Sequence, residues 1–215
     1  MEQEQLKIFD ENRKVIGVAT RKEVHKVGHW HEVFHCWLVR KDGEKVYLYL
    51  QLRSETKKDY PSLYDITAAG HLLADESVQD GVRELKEELG VEVSFDELVS
   101  LGIIDYCVKK DDFIDKEIAN IFLLQTDFAI EDFILQKEEV AGMVKVEFTD
   151  FMDLWLGKLS TITVSGYRID SVGVCSKIQE RVGKDRFVPH QTHFYLNVLE
   201  KINTVIEKSN NDLNY

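Results

Sequence analysis

One stretch constrains this chain more than any other: Gly70 to Val91, GHLLADESVQDGVRELKEELGV. Val78, Val82, Leu85 and Leu89 recur at spacings of 4, 3 and 4, which lays one apolar face along a helix. Ser77 stands where an N-cap belongs and Gly90 where a left-handed residue ends a helix, so the spacing predicts a helix over 77–90. Glu84, Glu87 and Glu88 fall at i, i+3 and i+4 on the opposite face. Like charges so placed repel, by roughly 0.2–0.5 kcal/mol per pair. A divalent cation cancels that repulsion, and several hard oxygen ligands are what Mg2+ or Mn2+ prefers. Such an ion can bridge to phosphate oxygens and stabilise charge as a phosphoryl bond breaks. Arg83 can reach Glu87 on the same helix or turn back toward Glu76. A triplet of this kind taken alone also fits a solvated helix surface.

The rest of the composition narrows the partners. Acids number 39 and bases 27, a formal charge of −12. Residues 75–97 carry nine acids against Arg83 and Lys86, and residues 131–153 carry seven against Lys137 and Lys145. A nucleic-acid backbone or an anionic membrane needs a net basic face, so neither is expected as a partner. At 215 residues the chain is expected to fold as a single domain over 1–215. Cys36, Cys107 and Cys175 form no CxxC pair and read as buried free thiols of a reducing compartment. No apolar run reaches membrane-spanning length, and MEQEQLKIFD has no apolar signal region, so the expected location is cytoplasmic.

Periodicity sketches the remainder. EQLKIFD and KVIGVAT flank a polar turn and predict an N-terminal hairpin over 5–20. HEVFHCWLV and VYLYLQLR read as strands around Asp42-Gly43. LYDITAAG, LVSLGIIDYCV, IANIFLLQT and AGMVKVEF follow as strands, FMDLWLGKL as a short helix, and 192–208 as an amphipathic helix ahead of a frayed tail, 209–215. Residues 160–190 carry no clear pattern. Strands with a few helices suggest a mixed sheet between helices, class α/β.

The stretch from Gly70 to Val91 resembles the Nudix box: Gly, five residues, Glu, seven residues, Arg-Glu, an apolar residue, any residue, Glu-Glu, any residue, Gly, an apolar residue. Gly70, Glu76, Arg83, Glu84, Leu85, Glu87, Glu88, Gly90 and Val91 match it. Only six residues separate Glu76 from Arg83, so either the loop before the helix is short by one or Asp75 takes the role of Glu76. The resemblance implies a Nudix-type α/β/α sandwich with a core of about 29–160, to which the hairpin and the C-terminal helix are additions. It implies Glu84, Glu87 and Glu88 as ligands of Mg2+ or Mn2+, and hydrolysis of a diphosphate linked to another moiety. The base would be Glu87 or Glu139, the latter in the Glu138-Glu139 pair before VAGMVKV. A small-molecule diphosphate is the implied partner, and a homodimer the implied assembly.

A second resemblance, over about residues 5–125, is to type I isopentenyl-diphosphate isomerase. DENRKVIGVATRKEVH, HEVFHCWLV, RSETKKDYPSLYDITAAGH and DKEIANIF carry it. It implies a metal role for His25, His31, His71 and Glu117, with Asp115 in place of a second glutamate. It also implies a diphosphate grip for Arg53 and Lys57, to which the box adds Arg83. The isomerase needs a cysteine immediately before Gly-His, where this chain has Ala69. Alanine neither donates nor accepts a proton, so hydrolysis is favoured over isomerisation. Substrate choice is expected in the loops 54–62, 108–116 and 160–190.

Overall fold

Alternation along the central strands determines where the layers lie. The computed structural model describes residues 3–110 and 113–212. A hairpin of β1 (Gln5–Phe9) and β2 (Val15–Thr20) leads into a short helix, α1 (Arg21–Val27). Two long strands follow, β3 (Trp30–Asp42) and β4 (Lys45–Arg53), then two short ones, β5 (Tyr64–Asp65) and β6 (Ala68–His71). A 3-10 turn over Val78–Val82 precedes α2 (Arg83–Leu89). β7 (Val99–Lys110) and β8 (Phe113–Gln125) form a long hairpin. β9 (Val140–Glu147), α3 (Phe148–Trp155), β10 (Ile162–Ile169), β11 (Cys175–Val182) and α4 (Thr192–Asp212) complete the chain.

The strands form one mixed sheet in the order β11-β10-β9-β4-β3-β1-β2, with β5 on β4, β6 on β3, and β8 joining β3 to β7. β3 and β8 run parallel, Trp30 beside Lys116 through Val39 beside Gln125, and the other pairs are antiparallel. Successive β3 side chains take opposite faces. Val33, Trp37 and Val39 enter one core with Leu48, Leu50, Ile121 and Leu123. That face is covered by α3 through Phe151, Leu154 and Trp155, and by α4 through Phe194, Tyr195, Val198 and Ile202. Trp155 and Tyr195 stack at 3.8 Å between centroids and tie the two helices together. Phe34, Cys36 and Leu38 enter the other core, which Leu85 and Leu89 of α2 cover. Helices on both faces of a mixed sheet make the expected α/β/α sandwich.

Five expectations need correction. The α-helix of the Glu-rich stretch begins at Arg83, because Val78–Val82 winds as a tighter 3-10 turn. Residues 160–190 hold the β10–β11 hairpin, whose mostly exposed β11 lacks a buried face to reveal it. The loop expected at 108–116 is largely strand, and its Asp111 and Asp112 lie outside the described residues. α4 runs on to Asp212, so the tail is helical to that point, and 213–215 lie outside the described residues. Of the three free cysteines only Cys36 is buried; Cys107 is half-buried and Cys175 exposed. Among the described residues no helix is long and apolar enough to cross a membrane.

Candidate active site

α2 is short because Gly90 stops it. Gly90 sits at φ 69°, a left-handed conformation costly for other residues, and its N–H returns to the Lys86 carbonyl while Val91 N–H reaches Leu85. With Leu85 and Leu89 driven into the core, the opposite face presents Glu84 and Glu88 to a cavity of about 500 Å3. Glu84 is 8% exposed and Glu88 5%. Glu84 lies against the backbone of β6, where a Cβ on Gly70 would collide with its carboxylate. The glycine that opens the motif therefore makes room for one of its acids. Burial pushes Glu84 up to about 7 against the pull of Arg83. Burial and the charge of Glu84 push Glu88 well above the usual carboxylate range. Gln51 Nε2 and the Ala69 N–H donate weakly to Glu88 Oε2, at 3.3 and 3.4 Å.

Arg83 organises this acid group. Its Nε donates to Glu76 Oε1 at 2.5 Å, Nη2 to Glu76 Oε2 and the His71 carbonyl at 3.0 Å each, and Nη1 to Glu84 at 2.6 Å and Glu87 at 3.0 Å. All five guanidinium hydrogens are engaged within the protein, so the residue expected to bind substrate instead holds carboxylates in place. Glu76, rather than Asp75, makes the two-pronged pair, and the one-residue deficit is absorbed in the 3-10 turn. Glu87 is half-exposed at the cavity rim.

Across the cavity, Lys57 pairs with Glu139, both largely buried. The loop that carries Lys57 is stitched to the Glu138-Glu139 turn by Ser54 N–H on the Glu139 carbonyl and by Thr56 Oγ1 on the Glu138 carbonyl. Arg53 turns inward: Nη1 donates to Asp65 Oδ2 at 2.7 Å, and Nε and Nη2 to the Asp59 carbonyl at 3.2 and 2.8 Å. Of the cations expected to grip a diphosphate, Lys57 faces the acids most directly, and Arg53 braces the 54–62 loop.

Beside these acids the fold assembles a second cluster. Thr20 caps α1 with a reciprocal capping box to Glu23, which places His25 over β3 and β8. His31 comes from β3, His71 from β6, and Asp115 and Glu117 from β8, where Glu117 is the parallel partner of His31. Nitrogens of His25, His31 and His71 lie within 4.8 Å of one another, as do ligand atoms of His31, Asp115 and Glu117. His25 Nδ1 donates to the Arg21 carbonyl at 2.9 Å and His31 Nδ1 to the His29 carbonyl at 3.2 Å. Each Nε2 is thereby left with a lone pair, the arrangement typical of metal-bound imidazoles. Asp115 Oδ1 is 3.3 Å from His25 Nε2 and 3.6 Å from His31 Nε2. His31 Nε2, His71 Nε2, Asp115 Oδ1 and Glu117 Oε2 are buried with no hydrogen-bond partner. Burial drives His31 down to about 4 and His71 well below the usual imidazole range, which keeps both neutral. Burial and the charge of Asp115 push Glu117 well up. Converging, unsatisfied, buried nitrogen and oxygen donors fit a divalent cation.

The tertiary structure therefore gathers most residues expected from the sequence around one cavity, with His31 fully buried behind its wall and Arg83 and Arg53 in bracing positions. It adds residues for which no function was expected: His35 and His190, with Asp65 and Tyr106, at the cavity's inner end. α1 was also missing from the periodicity, although Thr20 and Glu23 carry the capping-box spacing that announces it. His190 has no local signal, since it reaches the cavity only through the segment ahead of α4.

No protein-family model matches the chain. An uncharacterized Nudix hydrolase of Clostridium acetobutylicum is 39% identical over 204 residues, which span 94% of this chain and 98% of that protein. Nudix hydrolase 3 of Arabidopsis thaliana is 34% identical over 157 residues, 70% of this chain and 20% of the plant protein. An isopentenyl-diphosphate delta-isomerase of Salmonella paratyphi B is 24% identical over 163 residues, 75% of this chain and 85% of the isomerase. Among solved structures, a Deinococcus radiodurans protein superposes with a TM-score of 0.55 at 18% identity, covering 72% of this chain and 90% of its own. A MutT/nudix family protein of Enterococcus faecalis gives 0.52 at 15% identity, covering 82% and 62%. Both share the sandwich fold.

Proposed function

The chain belongs to the Nudix hydrolase family, and from that premise we propose that it hydrolyses a small organic diphosphate with Mg2+ or Mn2+ held by Glu84 and Glu88 and supported by Glu87. One observation carries the reading: two carboxylates on one helix face are buried together in a cavity, Glu84 tied by Arg83 to Glu76 and Glu87, and Glu88 held only by long bonds from Gln51 and the Ala69 N–H. Buried like charges of this kind call for a cation. A bound divalent ion supplies Lewis acidity to phosphoryl oxygens and offsets the charge that develops on them. The histidine cluster with Asp115 and Glu117 would hold a second ion.

The remaining steps fall to the protein's own side chains. Lys57 Nζ takes a phosphate oxygen, and that exchange releases Glu139, which then accepts a proton from the attacking water. The water oxygen bonds to one phosphorus as the bridging P–O bond breaks, and the two products each leave with a phosphate. Glu139, walled into the cavity, suits the base better than half-exposed Glu87. Arg83 and Gly70 set the position of Glu84, and Arg53 steadies the loop that bears Lys57. We read residues 1–215 as one domain of this kind, and propose a homodimer, which light scattering tests.

The test is phosphate release from a panel of nucleoside, sugar and prenyl diphosphates with Mg2+, with Mn2+ and with chelator. Metal-dependent release from at least one class is expected; none from any class overturns the reading. The histidine cluster favours a second reading, isomerisation of isopentenyl diphosphate. Ala69 speaks against it, because its methyl group has no proton to give. The expected result is no interconversion of isopentenyl and dimethylallyl diphosphate.

A further inference from the structure

The two cation clusters account for the outer cavity and leave its inner end unexplained. There the wall is formed by His35, Asp65, Tyr106, Val188 and His190. His35 projects from β3 at 4% exposure, and the side chain of His190 is 9% exposed. Each imidazole turns one nitrogen toward a carboxylate. His35 Nε2 is 3.6 Å from Glu117 Oε2, and His190 Nε2 is 3.4 Å from Asp65 Oδ1. Asp65 also accepts from Arg53 Nη1 at 2.7 Å and from the Ile66 N–H at 2.8 Å, so it stays ionised and His190 Nε2 carries the hydrogen. Both His35 Nδ1 and His190 Nδ1 are buried without a hydrogen-bond partner. Native interiors seldom leave such atoms unsatisfied unless the site has a use for them.

The space beside them is shaped for a ring. Ala69 is the ladder partner of His35 and presents only a methyl group. Tyr106 stands edge-on to His190 at 5.0 Å, with Phe194 behind them at 5.0 Å from His190 and 5.4 Å from Tyr106. An apolar wall with a few fixed polar atoms is how a pocket orients a compact polar ligand.

We propose that this inner end is a subsite for hydroxyl groups, read by His35 and His190, and that the moiety attached to the diphosphate is polyhydroxylated, a sugar-like ring rather than a hydrocarbon chain. The proposal rests on the hydrolase reading of the cavity. A hydrocarbon would bury both free nitrogens without partners, and a site built to bond hydroxyls rejects analogues that lack them by large factors. Hydroxyls, which donate or accept as the ring nitrogen requires, bond to His190 Nδ1 and His35 Nδ1, while the ring lies along Tyr106.

The test compares ribose 5-diphosphate with isopentenyl diphosphate under Mn2+. Each has five carbons and a diphosphate, and only the first carries hydroxyls. The chain is expected to cleave the pentose compound with kcat/KM at least about 100-fold higher. His190→Gln keeps an N–H toward Asp65 and removes the ring nitrogen Nδ1; His35→Gln removes the same nitrogen beside Glu117. Each is expected to lower the preference about tenfold, through KM of the pentose compound rather than kcat, with an unchanged melting temperature. Equal cleavage of the two compounds, or a preference that neither variant moves, overturns the subsite and leaves the hydrolase reading standing. If neither compound is cleaved, dissociation constants from calorimetry with Mn2+ decide the subsite on the same ratio, and the hydrolase reading stands or falls on the wider panel.

Discussion

Glu84 and Glu88 reach the cavity from one helix of seven residues, whereas the histidine cluster draws on α1, β3, β6 and β8. The first group is all oxygen, with Arg83 and Gln51 as its supports. The second mixes three imidazoles with two carboxylates, and two of its histidines, His25 and His31, are oriented by backbone carbonyls. The oxygen group suits Mg2+ or Mn2+, and the mixed group suits a softer ion such as Mn2+ or Zn2+. A motif built on helix spacing survives wherever its helix is placed. A site assembled from four elements exists only when all four dock.

The comparison can be broken most severely at Glu88. Glu88→Gln is expected to lower kcat by more than about 100-fold, beyond the 10–100-fold that outer partners of a metal cost. The metal-free protein should melt no lower, because the amide removes a buried acid. Steady-state rates and calorimetry check both, and retained turnover removes the oxygen site from the mechanism. Gly70→Ala comes next. Its Cβ displaces Glu84, and a displacement of about 1 Å at a reacting centre can cost on the order of 100-fold in rate.

His71→Asn addresses the assembled site. Mn2+ affinity should fall at least about tenfold by titration calorimetry, while Glu84 and Glu88 still bind Mg2+. Loss of all metal binding in this variant would mean that the clusters form one site. A pH titration separates them further. Glu84 is raised from 4.5 to about 7 in the folded protein, so the native state holds more protons than the unfolded one between those values. Stability of the metal-free protein therefore falls as pH rises through that window, and Mg2+ should restore the most melting temperature above it. A metal-free melting temperature that climbs from pH 5 to 7 contradicts this. The smallest effect is at Thr20→Ala, which removes the cap of α1 and costs about 1 kcal/mol. It should weaken Mn2+ binding through His25 and leave Mg2+ binding as it was.

How much of this was legible follows from the range of the interactions. The apolar and acidic faces of residues 78–91, the hairpin over 5–20, the aromatic and branched run of β3 and the period-2 strand β4 depend on neighbours a few positions apart, so pattern reveals them. The split of the helix at Arg83 was not legible, because the five residues before it serve the approach to Phe34, where a Cβ on Gly81 would not fit. α1 was legible in principle through Thr20 and Glu23. β10 and β11 were not, since a hairpin with little buried surface shows little alternation.

The sequence by itself determined the acid-bearing helix, its glycine stop, and the reach of Arg83 to the carboxylate at i+4, because these are properties of helix geometry. It also determined the absence of a transferable proton at Ala69. Only the tertiary structure decided that Glu76 rather than Asp75 meets Arg83, and that Lys57 meets Glu139 across 82 residues. Only it brought His35 and His190 to the inner end of the cavity. These contacts join residues far apart in the chain, and they form only once the two cores have packed against opposite faces of the sheet.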